Sequence, residues 1–181
     1  FADLGPGEYV ISETLESGWT QTYPSSPGTH SFVGSSGIDA TDKDFGNFEN
    51  IAISGMKFED ENGNGLKTGD SGLDDWAIQL LDTDDNLLDD TTTASDGTYS
   101  FTDLGPGTYR VREVAQSGWT QTTADPADIP ATSRDDVSHI DFGNFENIAI
   151  SGMKFEDHDG DGVQDAEDQG LEDWTINLDN G

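Results

Sequence analysis

Three observations predict an all-β chain of tandem antiparallel β-sandwiches. The stretch DFGNFENIAISGMKFED occurs twice, at 44–60 and 141–157; Ser54 and Ser151 are equivalent, so the period is 151 − 54 = 97 residues. A repeat of that length is enough for one small hydrophobic core. Within it, short alternating runs are separated by turn signals every ten residues or so, a sandwich pattern. No segment carries a convincing helical period.

The elements of one complete repeat follow in order. Residues 51–58 (IAISGMKF) read as a strand, and the loop 59–72 is rich in Asp, Asn and Gly. Trp76, Ile78 and Leu80 alternate with Ala77 and Gln79, the period of a half-buried strand. A polar turn at 82–86 leads to 87–94, whose three threonines suit an exposed strand. Ser95-Asp96-Gly97 turns the chain into a short strand at 98–101. Leu104-Gly105-Pro106-Gly107 is a strong turn signal, because Pro fixes φ and Gly accepts positive φ. Tyr109, Val111 and Glu113 then share one strand face, and 118–122 leads into another strand. A loop at 124–134 and a strand at 137–142 close the unit.

Residues 1–22 match 101–122, so the chain divides unequally. Residues 1–50 are the C-terminal part of a first repeat, 51–147 a complete repeat, and 148–181 the N-terminal part of a third. No Gly/Ser-rich or Pro-rich linker separates them, so consecutive repeats should sit close and stiffly.

The chain carries 38 acidic and 7 basic residues, a net charge of −31. Nucleic-acid binding needs a basic patch, and this composition has none. The same sign opposes binding to anionic lipid. Self-repulsion of this size calls for bound cations or high salt. A saline habitat and an ordinary extracellular module with cation sites both satisfy it. There is no Cys, hence no disulfide and no thiolate site. No apolar run is long enough for a membrane span, so no direct membrane insertion is expected. His30, His139 and His158 are scattered, without a nucleophile in recognisable context or enough donors for zinc. Paired carboxylates are too common here to support glycosidase chemistry. No enzyme activity is expected. Trp19 and Trp119 recur in Ser-Gly-Trp-Thr-Gln and read as packing residues rather than sugar platforms.

The acidic loop carries the sharpest motif. From Asp157 to Asp168, carboxylates fall at positions 1, 3, 5, 9 and 12 with Gly162 at position 6, the spacing of an EF-hand calcium loop. Hard calcium takes six to eight oxygens, and position 7 offers a backbone carbonyl. The preceding copy reads Asp60, Asn62, Asn64, Gly65, Leu66 and then Asp70, one residue early, with Thr68 at position 9. A weaker or rearranged site is expected there. The flanks are strands, so no helix-opening sensor is implied.

At these residues the chain resembles the B-type repeats of serine–aspartate-repeat surface adhesins (SdrD-type B domains) and, more distantly, Cna-type B modules. The matching pieces are SGMKFEDENGNG and SGMKFEDHDGDG, then Gly72-Leu73 and Gly170-Leu171 leading to Trp76 and Trp174. They continue through 96–101, 104–109, Glu113 and 117–121. The resemblance implies a transthyretin-like (prealbumin-like, Ig-like) sandwich, in tandem on bacterial or archaeal surface proteins. It also implies calcium (Ca2+) in the loop after the first strand. Carried over by position, the ligands are Asp60, Asn62, Asn64, the Leu66 carbonyl and Asp70 in one loop. In the other they are Asp157, Asp159, Asp161, the Val163 carbonyl and Asp168. Some Cna-type modules also form a Lys–Asn isopeptide bond beside a buried acid, for which Lys57, Asn144 and Glu113 are the candidates. Alternation with Met56 and Phe58 points Lys57 away from the core, and Glu113 is expected to bond backbone at its strand end.

The resulting expectation is a calcium-stabilised extracellular structural repeat: a rigid stalk, filament or surface-layer element. Its partners would be neighbouring copies, head to tail. The alternatives are an adhesin or carbohydrate-binding module and a noncatalytic spacer of a secreted enzyme. Residue 181 matches 83 and residue 1 matches 101, so two molecules head to tail could nearly complete one sandwich. A continuous array is the plainer expectation.

Overall fold

A computed structural model describes residues 1–179; Asn180 and Gly181, the last of the expected third-repeat segment, lie outside the described residues. The first repeat supplies β1 (Glu8–Ser12), β2 (Trp19–Tyr23), β3 (Thr29–Val33) and β4 (Gly46–Glu49). The second supplies β5 (Ile51–Glu59), β6 (Ala77–Leu81), β7 (Leu87–Thr92), β8 (Thr98–Leu104) and β9 (Thr108–Glu113). It ends with β10 (Trp119–Gln121), β11 (Ile129–Pro130) and β12 (Phe142–Glu146). Phe1–Glu146 is one compact unit, and a second begins at Asn147.

The complete repeat is two four-stranded sheets, ordered β10-β12-β5-β8 and β11-β9-β6-β7. Alternation decides what each contributes to the core. Ile51, Ile53, Tyr99, Phe101 and Phe142 come from the first sheet; Ile78, Leu80, Tyr109, Val111 and Ile129 from the second; all join one buried cluster with Trp76. This is sandwich packing, with interdigitating inner faces.

Three details depart from the sequence reading. The loop at 124–134 holds a short strand, β11, which pairs with β9. The closing strand lies later than expected: Val137 makes a single parallel bridge to Ile53, and β12 begins at Phe142. Above all, β12 pairs with β5 in parallel, Phe142 opposite Lys57 and Asn144 opposite Glu59. The first and last strands of the repeat are therefore neighbours running the same way.

The predicted Leu-Gly-Pro-Gly turn forms twice and is pinned the same way each time. Tyr109 donates its hydroxyl to the Gly105 carbonyl at 2.9 Å, and Tyr9 to Gly5 at 2.7 Å. Gly55 marks a close approach, since a Cβ there would lie 1.8 Å from the Ile140 carbonyl oxygen. Gly55→Ala is expected to cost about 3 kcal/mol or more in urea unfolding, because backbone must move. A loss below about 1 kcal/mol, the size of an ordinary surface change, would show that the approach is not tight.

In the unit beginning at Asn147, the acidic loop is closed as in the second repeat. Phe155 bridges Gly170 as Phe58 bridges Gly72, and Leu171 N–H donates to Lys154 O at 2.8 Å as Leu73 N–H donates to Lys57 O at 3.0 Å. Residues 148–154 repeat the sequence of 51–57, yet they form no strand. The two strands expected in this segment are not formed among the described residues. The same heptapeptide is a strand in β5 because β8 and β12 flank it.

Candidate functional site

Two centres stand out, and both lie at the end of β5. The first is the acidic loop. Asp60 is fully buried, and its carboxylate accepts from the amides of Asn64 at 3.1 Å and Gly65 at 2.7 Å. Burial favours its protonated form, yet the Thr122 side chain and the amides of Gly65, Asn64 and Gly63 together hold the carboxyl below its usual range. Asn62 Oδ1 accepts from Asn64 N–H at 3.1 Å, and Asn64 Oδ1 from Leu66 N–H at 2.7 Å. The loop is thus wound with its side-chain oxygens turned inward. Asp70 Oδ2 is buried without a hydrogen-bond partner, an arrangement that costs free energy unless something satisfies it.

The later copy winds alike. Asp157 accepts from Gly160 at 2.8 Å, Asp161 at 3.1 Å and Gly162 at 2.9 Å. Asp168 closes the loop through His158 N–H at 3.0 Å and Asp165 N–H at 3.1 Å. Carboxylate oxygens of Asp157, Asp159 and Asp161 lie within 4.8 Å of one another. Hard oxygen donors at this spacing are of the kind that could hold calcium, and the unpartnered Asp70 oxygen is a further such donor in the other loop. Asp60, Asn62, Asn64, Leu66 and Asp70 occupy one loop; Asp157, Asp159, Asp161, Val163 and Asp168 occupy the other.

The second centre corrects the sequence reading of Lys57. Its side chain is fully buried and does not point away from the core. Parity counted from Ile51 and Ile53 places residues 55 and 57 inward. Phe58 is also buried, but on the opposite face, where a Cβ on Gly143 would lie 2.5 Å from its ring. Lys57 Nζ sits 4.2 Å from the Trp76 ring centroid, 3.4 Å from the Phe142 carbonyl and 3.4 Å from Glu113 Oε2. The Glu113 side chain is 3% exposed. It accepts from Asn144 Nδ2 at 2.8 Å, rather than bonding backbone at the strand end. Glu113 Oε2 and Asn144 Oδ1 are buried without hydrogen-bond partners. One carboxylate thus faces a lysine on one oxygen and an asparagine amide on the other.

The arrangement recurs. Asn47 Nδ2 donates to Glu13 Oε1 at 2.8 Å in the first repeat, and Lys154 occupies the Lys57 position in the third. The chain has only four lysines, two of them at this position. That recurrence was a signal in the sequence.

A sequence model of the SdrD B-like domain matches residues 51–143. The chain belongs to the SdrD B-like domain family. Among its relatives, serine-aspartate repeat-containing protein D of Staphylococcus aureus (strain Newman) is 29% identical over 202 residues, covering 98% of this chain and 15% of that protein. Bone sialoprotein-binding protein of S. aureus (strain MRSA252) is 28% identical over 182 residues, covering 92% of this chain and 16% of that one. The chain therefore spans under a fifth of the length of these relatives. Among solved structures, GBS52, the minor pilin of Streptococcus agalactiae, aligns with a TM-score of 0.45 and 13% identity, over 85% of this chain and 66% of that one.

In this SdrD B-like domain the sequence candidates for a sugar platform are engaged in packing. Trp119 meets Trp76 edge-on at 5.5 Å, and Trp19 lies 5.5 Å from the Arg134 guanidinium. No helix among the described residues is long and apolar enough to cross a membrane.

Burial pushes the Lys57 ammonium from 10.5 down to about 8, against the raising influence of Glu113. The native state then releases this proton before the unfolded state does. A chain with a free Lys57 amine should gain stability as pH rises through the window from about 8 to 10.5. The full gain is about 3 kcal/mol, and none of it is present below that window. Urea unfolding on either side of the window reads it out. Acylated Nζ would give no such rise.

Proposed function

We propose that this chain is a load-bearing structural repeat of an extracellular surface protein, stiffened inside each repeat by calcium and by a Lys57–Asn144 cross-link. The observation that carries the reading is the parallel β5–β12 pair. The polypeptide enters the repeat on β5 and leaves on β12. Tension along a tandem array pulls these two strands from opposite ends, so the load falls on them in shear. A covalent tie between them would carry that load past the rest of the sandwich.

The chemistry is balanced without an added reagent. The neutral amine of Lys57 attacks Asn144 Cγ, and the Cγ–Nδ2 bond breaks. Glu113 takes a proton from Nζ and passes it to the departing nitrogen, which leaves as ammonia. The amide that forms is neutral. It removes a buried ammonium, which is costly in an apolar site. Apolar walls from Trp76 and Phe142 keep water from competing, and lowering the amine's basicity leaves more of it unprotonated.

Calcium would act at the same end of β5. An ion held by Asp60, Asn62, Asn64, the Leu66 carbonyl and Asp70 would fix the strand as it leaves the sandwich. In the other copy the holders would be Asp157, Asp159, Asp161, the Val163 carbonyl and Asp168. Bound cations would also offset part of the net charge of −31. Kinship with the serine-aspartate repeat proteins is in keeping with surface placement. No substrate chemistry is assigned.

Intact mass spectrometry tests the cross-link. A deficit of one ammonia per complete repeat is expected, with Lys57 and Asn144 joined in one branched proteolytic fragment. An unshifted mass in fully folded protein would remove the cross-link from the reading.

A further inference from the structure

Within the unit Phe1–Glu146, the end of the first repeat is fastened to the second by a compact polar network centred on Asn50. Asn50 N–H donates to the Gly18 carbonyl at 2.8 Å. Its Oδ1 accepts from Thr20 Oγ1 at 2.7 Å, and its Nδ2 donates to Asp103 Oδ1 at 2.7 Å. Each polar atom of this residue's side chain is thus committed, one to each repeat. Beside it, Glu49 N–H donates to Ser133 Oγ at 2.9 Å. A Cβ added to Gly105 would lie 3.1 Å from Thr20 Oγ1, so the two repeats touch there. Phe48 of the first repeat packs against the core cluster of the second. Arg134 adds an ion pair to Glu49 and covers the Trp19 ring.

We infer that these are the two halves of a dedicated docking surface between successive repeats, whose partner is another copy of this repeat. One half is Gly18, Trp19, Thr20, Phe48, Glu49 and Asn50. The other is Asp103, Gly105 and Ser133. The first and second repeats each carry both. The first half recurs by identity at Gly118, Trp119, Thr120, Phe145, Glu146 and Asn147. The second recurs at Asp3, Gly5 and Ser36. Two different faces on one unit make a heterologous contact, which propagates in one direction without closing. This deepens the tandem-array reading but concerns the joint alone, independently of calcium and of the cross-link.

The network also ranks its parts. The amide of Asn50 is neutral and its bonds are short, so salt does not screen them. Arg134 is exposed, and exposed ion pairs contribute little. Its counterpart in the first repeat, 134 − 97 = 37, is Gly37, and both positions hold positive φ, 69° and 73°. Arg134 is an addition at this joint, and Asn50 is the lock.

Residual dipolar couplings on the whole chain test the assignment. Amides of β2 and β4 and those of β5 and β8 should fit one alignment tensor in the parent. Asn50→Ala should require two tensors while the second repeat keeps its dispersed spectrum. Thr20→Val, which removes a single donor, should give the same split with less disturbance. Arg134→Gly should leave one tensor. Two tensors already in the parent, or one tensor surviving both Asn50→Ala and Thr20→Val, would overturn the docking surface. A split caused by Arg134→Gly alone would move the lock to the ion pair and overturn the role given to Asn50.

Discussion

Glu113→Ala is expected to restore the full intact mass of the chain and to lower its thermal midpoint by roughly 15–40 °C. The size follows from loop closure. A bond between Lys57 and Asn144 closes 144 − 57 = 87 residues. By the chain-entropy account that applies to disulfides, closing a loop of that length stabilises by about 4–5 kcal/mol. A domain of this size moves about 4–8 °C per kcal/mol. Removing Glu113 also leaves the Lys57 amine buried over Trp76 without its carboxylate, which is destabilising in its own right. The double variant Lys57→Met with Glu113→Gln, which removes both charges, separates the two causes by sign. In an uncross-linked domain, exchanging both members of a buried ion pair for neutral groups of similar shape is often neutral or stabilising, and Gln at 113 keeps the acceptor for Asn144 Nδ2. In a cross-linked one it must destabilise. The mechanical consequence follows from the same bond: pulled through its ends, the parent repeat should show no extension from residues 58–143, and the Glu113 variant should unfold along its length. A parent of full mass that Lys57→Met with Glu113→Gln leaves as stable or more so would sink the cross-link.

Chelation in low salt is expected to lower the midpoint of the complete repeat by roughly 10–20 °C. A ligand at about 100 times its dissociation constant stabilises by about 2.7 kcal/mol, because it binds the folded state alone. Low salt matters, since mobile ions would otherwise screen the same carboxylates. Asp70→Ala is the informative variant. Its buried Oδ2 has no partner, so its loss should leave the metal-free protein as stable or slightly more so. The gain on adding calcium should disappear. That combination distinguishes a ligand from a residue that merely supports the loop. Titration calorimetry on the chain carrying Asp70→Ala should still report binding at Asp157, Asp159 and Asp161. Identical melting curves with and without chelator would dispose of the calcium reading.

Much of the fold was legible because its signals are local. The repeat period, the Leu-Gly-Pro-Gly turns and the strands at β5, β6 and β9 follow from alternation and turn chemistry. The spacing of Asp157, Asp159 and Asp161 is also local, since three or four residues of winding bring their oxygens together. The lysine was another matter. Alternation offers two faces and does not say which is covered. Counted from Met56 and Phe58, Lys57 faces out; counted from Ile51 and Ile53, it faces in. The strand is covered on both sides near its end, by the core on one and by Phe58 against Gly143 on the other. Both counts therefore found a buried neighbour, and only the packed sheet distinguishes them.

The amino-acid sequence by itself determined the repeat, its turns, and the donor spacing of its acidic loops, because each is set within a few residues. The tertiary structure alone decided that β12 lies beside β5 in parallel, and hence that Lys57, Asn144 and Glu113 meet. Those residues come from strands far apart in the chain, and pairing between distant strands leaves no local mark. The heptapeptide IAISGMK shows why. At 51–57 it is a strand held between β8 and β12, and at 148–154 it forms none. A strand's hydrogen bonds are made to its neighbours, so the same residues become one only where those neighbours are present.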